Sequence, residues 1–561
     1  MCATWKFPRS DLRSFLLSTF LAAFAFSLLV AAPRLALAAQ HEGHDAPPAG
    51  WVPAEILHRP VPLRKGIGSV HDPVSTSSPQ AQTFYDQGLA YLHSYVWIEA
   101  ARSFHQALRL DPSCAMAYIG LSDAYVALQD LSGANAALVQ AQALAANVSD
   151  AERSRIAIRA AQLAYLGNPQ NTQLYFAYRK SLNDALAAHP DDPWLWILLG
   201  FASEGTPTAH GQNGGVDSIA YYQTALSLSQ DNFVAHHYLI HSYETIGRTK
   251  EALEHAQIYA RLAPEIPHAR HMYGHDLRRA GRTAEALAEF LKANELEAAY
   301  YRSENIPAQL DWHHAHNLSL LAMCQQSLGK MAAAEQSYKA AFALPAYVDL
   351  SEYNHREWPS FLLNRNRPQE ALDAANTMIE KSAHPLGRFA GHALAGRALL
   401  ALDRLADAKA EFALAEHETE QLPIAALNVL PDAVTLRGEI LLRSDKQAQG
   451  RALLQQVEKQ IRAQPGPDAW NGALFDLECI AQSARNANDW ELADFTAQQM
   501  LLQDPSYAGS HYAAALAAEH RADSATAVRE FAAAAKLWSA ADPTLPELAQ
   551  ARKSAPVAVP N

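Results

Sequence analysis

The residues of this chain with the most chemical potential are its histidines, and they are not evenly spread. Ten of the 24 lie between His236 and His316, where an even distribution over 561 residues would put about three or four. His237 and His241 are four apart, as are His271 and His275; on a helix that spacing puts both imidazoles of a pair on one face. Glu244 follows the first pair, His268 precedes the second, and Asp311, His313, His314 and His316 come shortly after. Neutral imidazoles gathered beside a carboxylate suit zinc, copper or iron. Such a site is catalytic when a coordination position stays open and structural when it is saturated. The alternative for the same residues is a polar wall that holds an extended peptide by hydrogen bonds and stacking, with Tyr238, Tyr243, Tyr273, Arg278 and His268 as contacts.

Other chemistry is sparse. There is no G-x-S-x-G elbow, no phosphate-binding G-x-x-x-x-G-K-[ST] loop and no G-x-G-x-x-G. His41-Glu42-Gly43-His44 is one residue short of H-E-x-x-H, and nothing names a catalytic nucleophile, so no enzyme activity is assigned. Of four cysteines, Cys2 falls in the N-terminal segment expected to be removed, and the remaining Cys114, Cys324 and Cys479 are odd in number and far apart, which fits small buried hydrophobes better than a disulfide framework. The net charge of −13 argues against nucleic acid as a partner.

The N-terminus reads as an export signal. Lys6, Arg9 and Arg13 precede an apolar run from Phe15 to Ala32, and Ala36-Leu37-Ala38 offers a small-residue cleavage site. The expectation is a signal peptide over 1–38, a periplasmic or secreted mature chain and no further membrane span; an uncleaved anchor is the alternative. Cleavage after Ala38 would expose Ala39-Gln40-His41, whose amine, amides and imidazole suit square-planar copper(II) or nickel(II). Residues 39–78, rich in Pro, Gly and His, read as a flexible arm.

What must position the histidines is a repeat. Alanine-rich stretches favour helix, and from Pro79 a period of 34 appears. Counting from Ala81, the residues Phe84, Gly88, Tyr91, Ala100, Phe104, Ala107 and Pro112 recur in phase in later units, as in Gly274, Gly281, Ala286, Phe290 and Ala293. Weaker units begin near Ala151, Pro193, Glu352 and Pro431. The chain resembles the tetratricopeptide repeat (TPR) family from about residue 80 to 550. That resemblance implies an all-α solenoid of about twelve helix pairs, a right-handed superhelix with a concave groove lined by the first helix of each pair. The arrays are expected over 79–314 and 315–550, with a disordered tail over 551–561. Two departures, Gly205 to Gly215 and Glu297 to His314, are expected as inserted loops.

The resemblance also gives the histidines a direction. In the family, offsets 2, 5, 9 and 12 of a first helix face the groove; these hold His237, His241 and Glu244 in one unit, His268, His271 and His275 in the next, and His316 in a third. A subset of secreted bacterial repeat proteins is similar here, with two H-x-x-x-H helices followed by an H-N helix start, matched by His316-Asn317. Two functions are therefore expected in competition: a scaffold binding a protein or peptide in its groove, and a metal-binding protein or metalloenzyme using His237, His241, His271, His275, His316 and Glu244.

Overall fold

The computed structural model describes residues 50–204, 214–346, 349–422, 431–464 and 467–555. The predicted signal peptide, the Ala39-Gln40-His41 motif and most of the Gly205–Gly215 segment lie outside them. The fold is all-α, a solenoid of TPR-like helix pairs. It divides into two compact units, which meet in sequence between Cys324 and Gln325.

The first unit begins with a short helix, α1 (Ala54–Leu57). Pairs follow in chain order: α2 (Pro79–Leu92) with α3 (Trp97–Leu110), α4 (Ala115–Ala127) with α5 (Leu131–Leu144), α6 (Asp150–Gly167) with α7 (Thr172–Ala188), and α8 (Pro193–Ala202) with α9 (Val216–Leu228). Then come α10 (Phe233–Thr245) with α11 (Thr249–Leu262), α12 (Pro267–Arg279) with α13 (Thr283–Glu304), and α14 (Trp312–Ser327). In the second unit lie α15 (Met331–Ala343), α16 (Asp349–Asn354), α17 (Glu357–Asn364), α18 (Pro368–Lys381), α19 (Pro385–Ala401), α20 (Leu405–Thr419), α21 (Asp432–Leu442) and α22 (Gln447–Ala463). It ends with α23 (Pro467–Asn486), α24 (Trp490–Gln503), α25 (Ala508–His520), α26 (Ser524–Leu537) and a closing helix, α27 (Pro546–Ser554). In element order this gives the twelve pairs expected, with α16 and α17 together forming one broken first helix.

Local chemistry sets these elements. Pro79 stands at the first turn of α2, and the Ser78 side chain accepts from the Ala81 amide at 3.2 Å, an N-cap of the expected kind. Within a pair, a small residue on the first helix receives an aromatic ring from the second. A Cβ at Gly88 would lie 2.5 Å from Phe104, and one at Gly274 3.1 Å from Phe290. Most turns inside a pair hold a left-handed residue two positions before the second helix. Gly247, Gly281 and Gly329 take it at φ 74–76°, Asn366, Asp403 and Asn488 at 55–59°. Tyr95 occupies the same position between α2 and α3 with φ 60°. Cys114, Cys324 and Cys479 are buried and free, as small hydrophobes.

The inserted loop expected over Glu297 to His314 is mostly helix: α13 runs on to Glu304. Residues 295–304 hold helix formers and no breaker until Asn305, which takes the left-handed cap at φ 51°, and Pro307, which turns Ile306 out of the helix. The extra turns carry Glu297, Tyr300, Tyr301 and Glu304 back toward the start of the unit. Tyr300 donates to Glu99 (3.1 Å), Glu304 pairs with Arg102 (2.9 Å) and Arg64, and the Trp97 and Trp312 rings stack at 4.9 Å.

From residue 50 the arm expected to be flexible is packed into this closure. Val52, Ile56, Leu57, Val61 and Ile67 are buried, the Trp51 indole donates to the Leu310 carbonyl (2.9 Å), and Arg59 donates to the carbonyls of Glu304 and Asn305. The first unit thus closes on itself, and the wall that the repeat phase assigns to a groove is interior there. In the second unit the chain after α26 returns likewise: Asp542 donates its amide to the Gly329 carbonyl (3.0 Å), and its carboxylate accepts from the Ala332 amide.

Candidate metal centre

On that interior wall, α10, α12 and α14 bring six histidines into two groups of three. His237, His241 and His268 form one triad, and His271, His275 and His316 the other; within each, one ring nitrogen per residue lies within 4.8 Å of the rest. In the first, His237 Nε2 is 3.1 Å from His241 Nε2 and 2.9 Å from His268 Nε2. Three ligands at about 2.05 Å around one tetrahedral ion would stand about 3.3 Å apart, so the inward nitrogens are already near coordination spacing.

The protonation state of each inward nitrogen follows from the partner of the other ring nitrogen, because carbonyl and carboxylate oxygens only accept. His237 Nδ1–H donates to the His93 main-chain carbonyl at 2.7 Å, one of the orphan carbonyls that end α2. His275 Nδ1–H donates to Glu244 Oε1 (2.9 Å), and His241 Nδ1 lies 3.6 Å from Glu244 Oε2. His271 Nδ1–H donates to Asn317 Oδ1 (3.0 Å); the Asn317 amide is held that way round because its Nδ2 donates to Glu297 Oε2 (3.3 Å). His268 is backed by a relay: its Nδ1 lies 3.0 Å from His313 Nε2, and His313 Nδ1–H donates to Glu297 Oε1 (2.8 Å). The backed arrangements of His237, His268, His271 and His275 leave a lone pair on Nε2. In the first triad those of His237 and His268 face one another, with His241 Nε2 beside them.

Facing lone pairs cannot satisfy each other, and little water reaches them: of the six histidines only His241 and His316 are partly exposed. His237, His271, Glu244, Glu297 and Asn317 are all at most 2% exposed. The rings of Tyr95 (4.6 Å) and Tyr259 (4.9 Å) close on His237, and that of Phe290 on His271 (5.5 Å). Burial, reinforced by the neighbouring imidazoles, holds His237, His268 and His271 well below the usual histidine range, so a proton is a poor occupant. Burial pushes the Glu244 carboxyl up, but the charge and hydrogen bonds of His275 and His241 outweigh it and hold it low. Glu297 is likewise raised by burial and brought below the usual range by hydrogen bonds from His313 and His314. Asp276, fully buried beside Glu244, goes the other way: burial first, then the Glu244 charge, push its carboxyl well above the usual carboxylate range. Imidazoles backed by carboxylates and carbonyls are the usual surroundings of a metal-bound histidine.

All five histidines expected as ligands are thus in the triads, and His268, expected as a partner contact, joins them. Glu244 lies behind the ligands, as a hydrogen-bond partner. Tyr238, Tyr243 and Arg278 are buried, and Tyr238 hydroxyl meets His93 Nδ1 at 2.8 Å; of the five expected partner contacts only Tyr273 is partly exposed. Sequence reasoning missed His93, Tyr95, Glu297 and Asn317 as parts of the centre. The one available signal was the H-N pair at His316-Asn317.

No family model matches the chain, and no curated protein matches it. Among solved structures it is similar to the human IFIT1 dimer with m7Gppp-AAAA (12% identity, 84% of this chain and 92% of that one, TM-score 0.33). It is also similar to yeast Tom70 (14%, 84% and 94%, 0.31) and to Cut9 of the APC/C hetero-tetramer Cut9–Hcn1 (13%, 84% and 96%, 0.30). These are TPR-containing helical-repeat proteins, and likeness at this level carries nothing about function. Among the described residues no helix is long and apolar enough to cross a membrane.

Proposed function

We propose that this chain is a metal-binding repeat protein that holds two transition-metal ions, one in each three-histidine site of its first unit. The observation that carries the reading is the approach of His237 Nε2 to the Nε2 atoms of His241 (3.1 Å) and His268 (2.9 Å) in a largely buried site, with the far nitrogens of His237 and His268 engaged by acceptors. Each site supplies three neutral nitrogen donors and leaves a coordination position for a small exogenous ligand, the pattern of a reactive rather than a saturated site. The partner-binding reading keeps only Tyr273 of its five expected contacts, because Tyr238, Tyr243, Arg278 and His268 are buried. We further propose export, on the basic, apolar and small-residue order of residues 1–38, and kinship with the secreted His-rich repeat proteins that share the H-x-x-x-H, H-x-x-x-H, H-N order.

The test is elemental analysis of the full chain purified from its own host without chelators or affinity metals. Two equivalents of a first-row metal per chain are expected, falling to none in a His237→Ala, His271→Ala double variant whose helicity is unchanged. Wild-type protein that stays below half an equivalent after incubation with copper, zinc, nickel and iron(II) salts would sink the reading.

A further inference from the structure

We infer that the two triads are halves of one dinuclear copper centre. This rests on the metal-binding reading and adds to it both the identity of the ion and the dependence of one site on the other.

The coupling is visible in what stands behind the ligands. Glu244 reaches His275 of the second triad with Oε1 (2.9 Å) and faces His241 of the first with Oε2 (3.6 Å). Glu297 does the same at one remove: Oε1 takes the relay through His313 to His268, and Oε2 accepts from Asn317, which orients His271 (2.8 and 3.3 Å). Two buried carboxylates are therefore each shared by both triads. The sites also adjoin directly, since His268 and His271 are one helical turn apart on α12, with rings 5.8 Å apart and 17° from parallel. A charge placed in one triad is felt by the other through shared carboxylates in a medium of low dielectric.

The ion follows from donor type and charge. The six inward donors are imidazole nitrogens, with no thiolate or carboxylate among the residues of either triad. Imidazole suits copper, zinc, nickel and iron, and copper(II) binds most tightly of the divalent series. The two carboxylates behind the ligands supply two negative charges in a region closed by Tyr95, Tyr259 and Phe290. Two monovalent ions balance them, whereas two divalent ions leave an excess of two in a dry site. Of the four metals named, copper has the readily accessible monovalent state, and an apolar shell favours the lower charge.

The experiment loads the full-length, metal-free protein with copper(II), counts bound copper, and records its electron paramagnetic resonance spectrum with spin integration. Two coppers per chain are expected. Their signal should integrate to clearly fewer than two spins or show a half-field transition, because each ion lies beside another. In His268→Ala, checked for helicity by circular dichroism, one copper should remain and give a sharp isolated signal integrating to one spin. Glu297→Gln should lower the affinity of both coppers about tenfold or more. Binding of less than half an equivalent of copper overturns the metal reading itself, and binding of a single copper overturns the pairing. Two coppers with independent signals integrating to two spins overturn the pairing alone. Tighter retention of zinc than of copper(I) in anaerobic competition overturns the choice of ion.

Discussion

At the scale of single residues, the centre depends less on its ligands than on what fixes them. An imidazole can present either nitrogen, and only a committed acceptor on one side leaves a lone pair on the other. Asn317 performs that task for His271 and touches no ligand of the first triad. Asn317→Leu should therefore lower metal affinity at the second triad about 10- to 100-fold while leaving the first unchanged. Competition against a chromophoric chelator, resolving two binding steps, measures this; equal loss at both steps would show that Asn317 acts through Glu297 instead. The ligands themselves were legible in the sequence because side-chain identity and helical phase are local properties. Their backing was not. The His93 acceptor is a main-chain carbonyl, which leaves no mark in residue type, and Glu297 sits in a stretch that departs from the repeat. Tyr95 was equally hidden: the turn position it occupies elsewhere takes Gly, Asn, Asp, Gln or Ala, and its left-handed backbone becomes meaningful only once its ring is found against His237 (4.6 Å) and His268 (4.8 Å).

At the scale of elements, the repeat was legible because the same contact recurs. A glycine on one helix and a ring on the next form a matched pair whose spacing the sequence repeats, and Gly88 with Phe104 is the clearest case. A methyl group at Gly88 would meet three carbons of the Phe104 ring at 2.5–2.8 Å. Gly88→Ala should thus cost about 1–3 kcal/mol through overpacking, although alanine is the better helix former by about 1 kcal/mol. Thermal unfolding of the first unit at lower temperature, with Phe104→Leu restoring part of the loss in the double variant, is the expected result. The extension of α13 was misread because departure from a period looks like a loop, whereas nothing in residues 295–304 breaks a helix. Those extra turns bring Glu297 to the histidines and Glu304 to the arm, so one irregular element both completes the centre and closes the unit over it.

At the scale of the molecule, the two units answer to different ligands. Metal is proposed only for the first, so at free metal one hundred times the dissociation constant it should gain about 2.7 kcal/mol for each of its two sites, and chelation should lower its melting transition and spare the other's. Protons act on the second. Glu458 on α22 is fully buried; its Oε1 meets only the Thr496 hydroxyl (2.7 Å), and Oε2 has no hydrogen-bond partner. Thr496 also reaches the Leu492 carbonyl (2.9 Å), so a protonated Glu458 can donate to the hydroxyl while the hydroxyl donates onward. Burial lifts the carboxyl to about 8. The folded unit then keeps a proton that the unfolded chain releases near pH 4.5. Its stability is undiminished by Glu458 below that pH, falls as pH rises toward about 8, and levels off above it, a loss on the order of a few kcal/mol. Glu458→Gln keeps the hydrogen bond to Thr496 and removes the titration. Urea unfolding of the second unit followed by tryptophan fluorescence at pH 5 and pH 9 should show the variant gaining on the wild type at pH 9 and matching it at pH 5. Parallel pH dependence in the two proteins would mean that Glu458 is ionised in the fold and that some other group supports its charge.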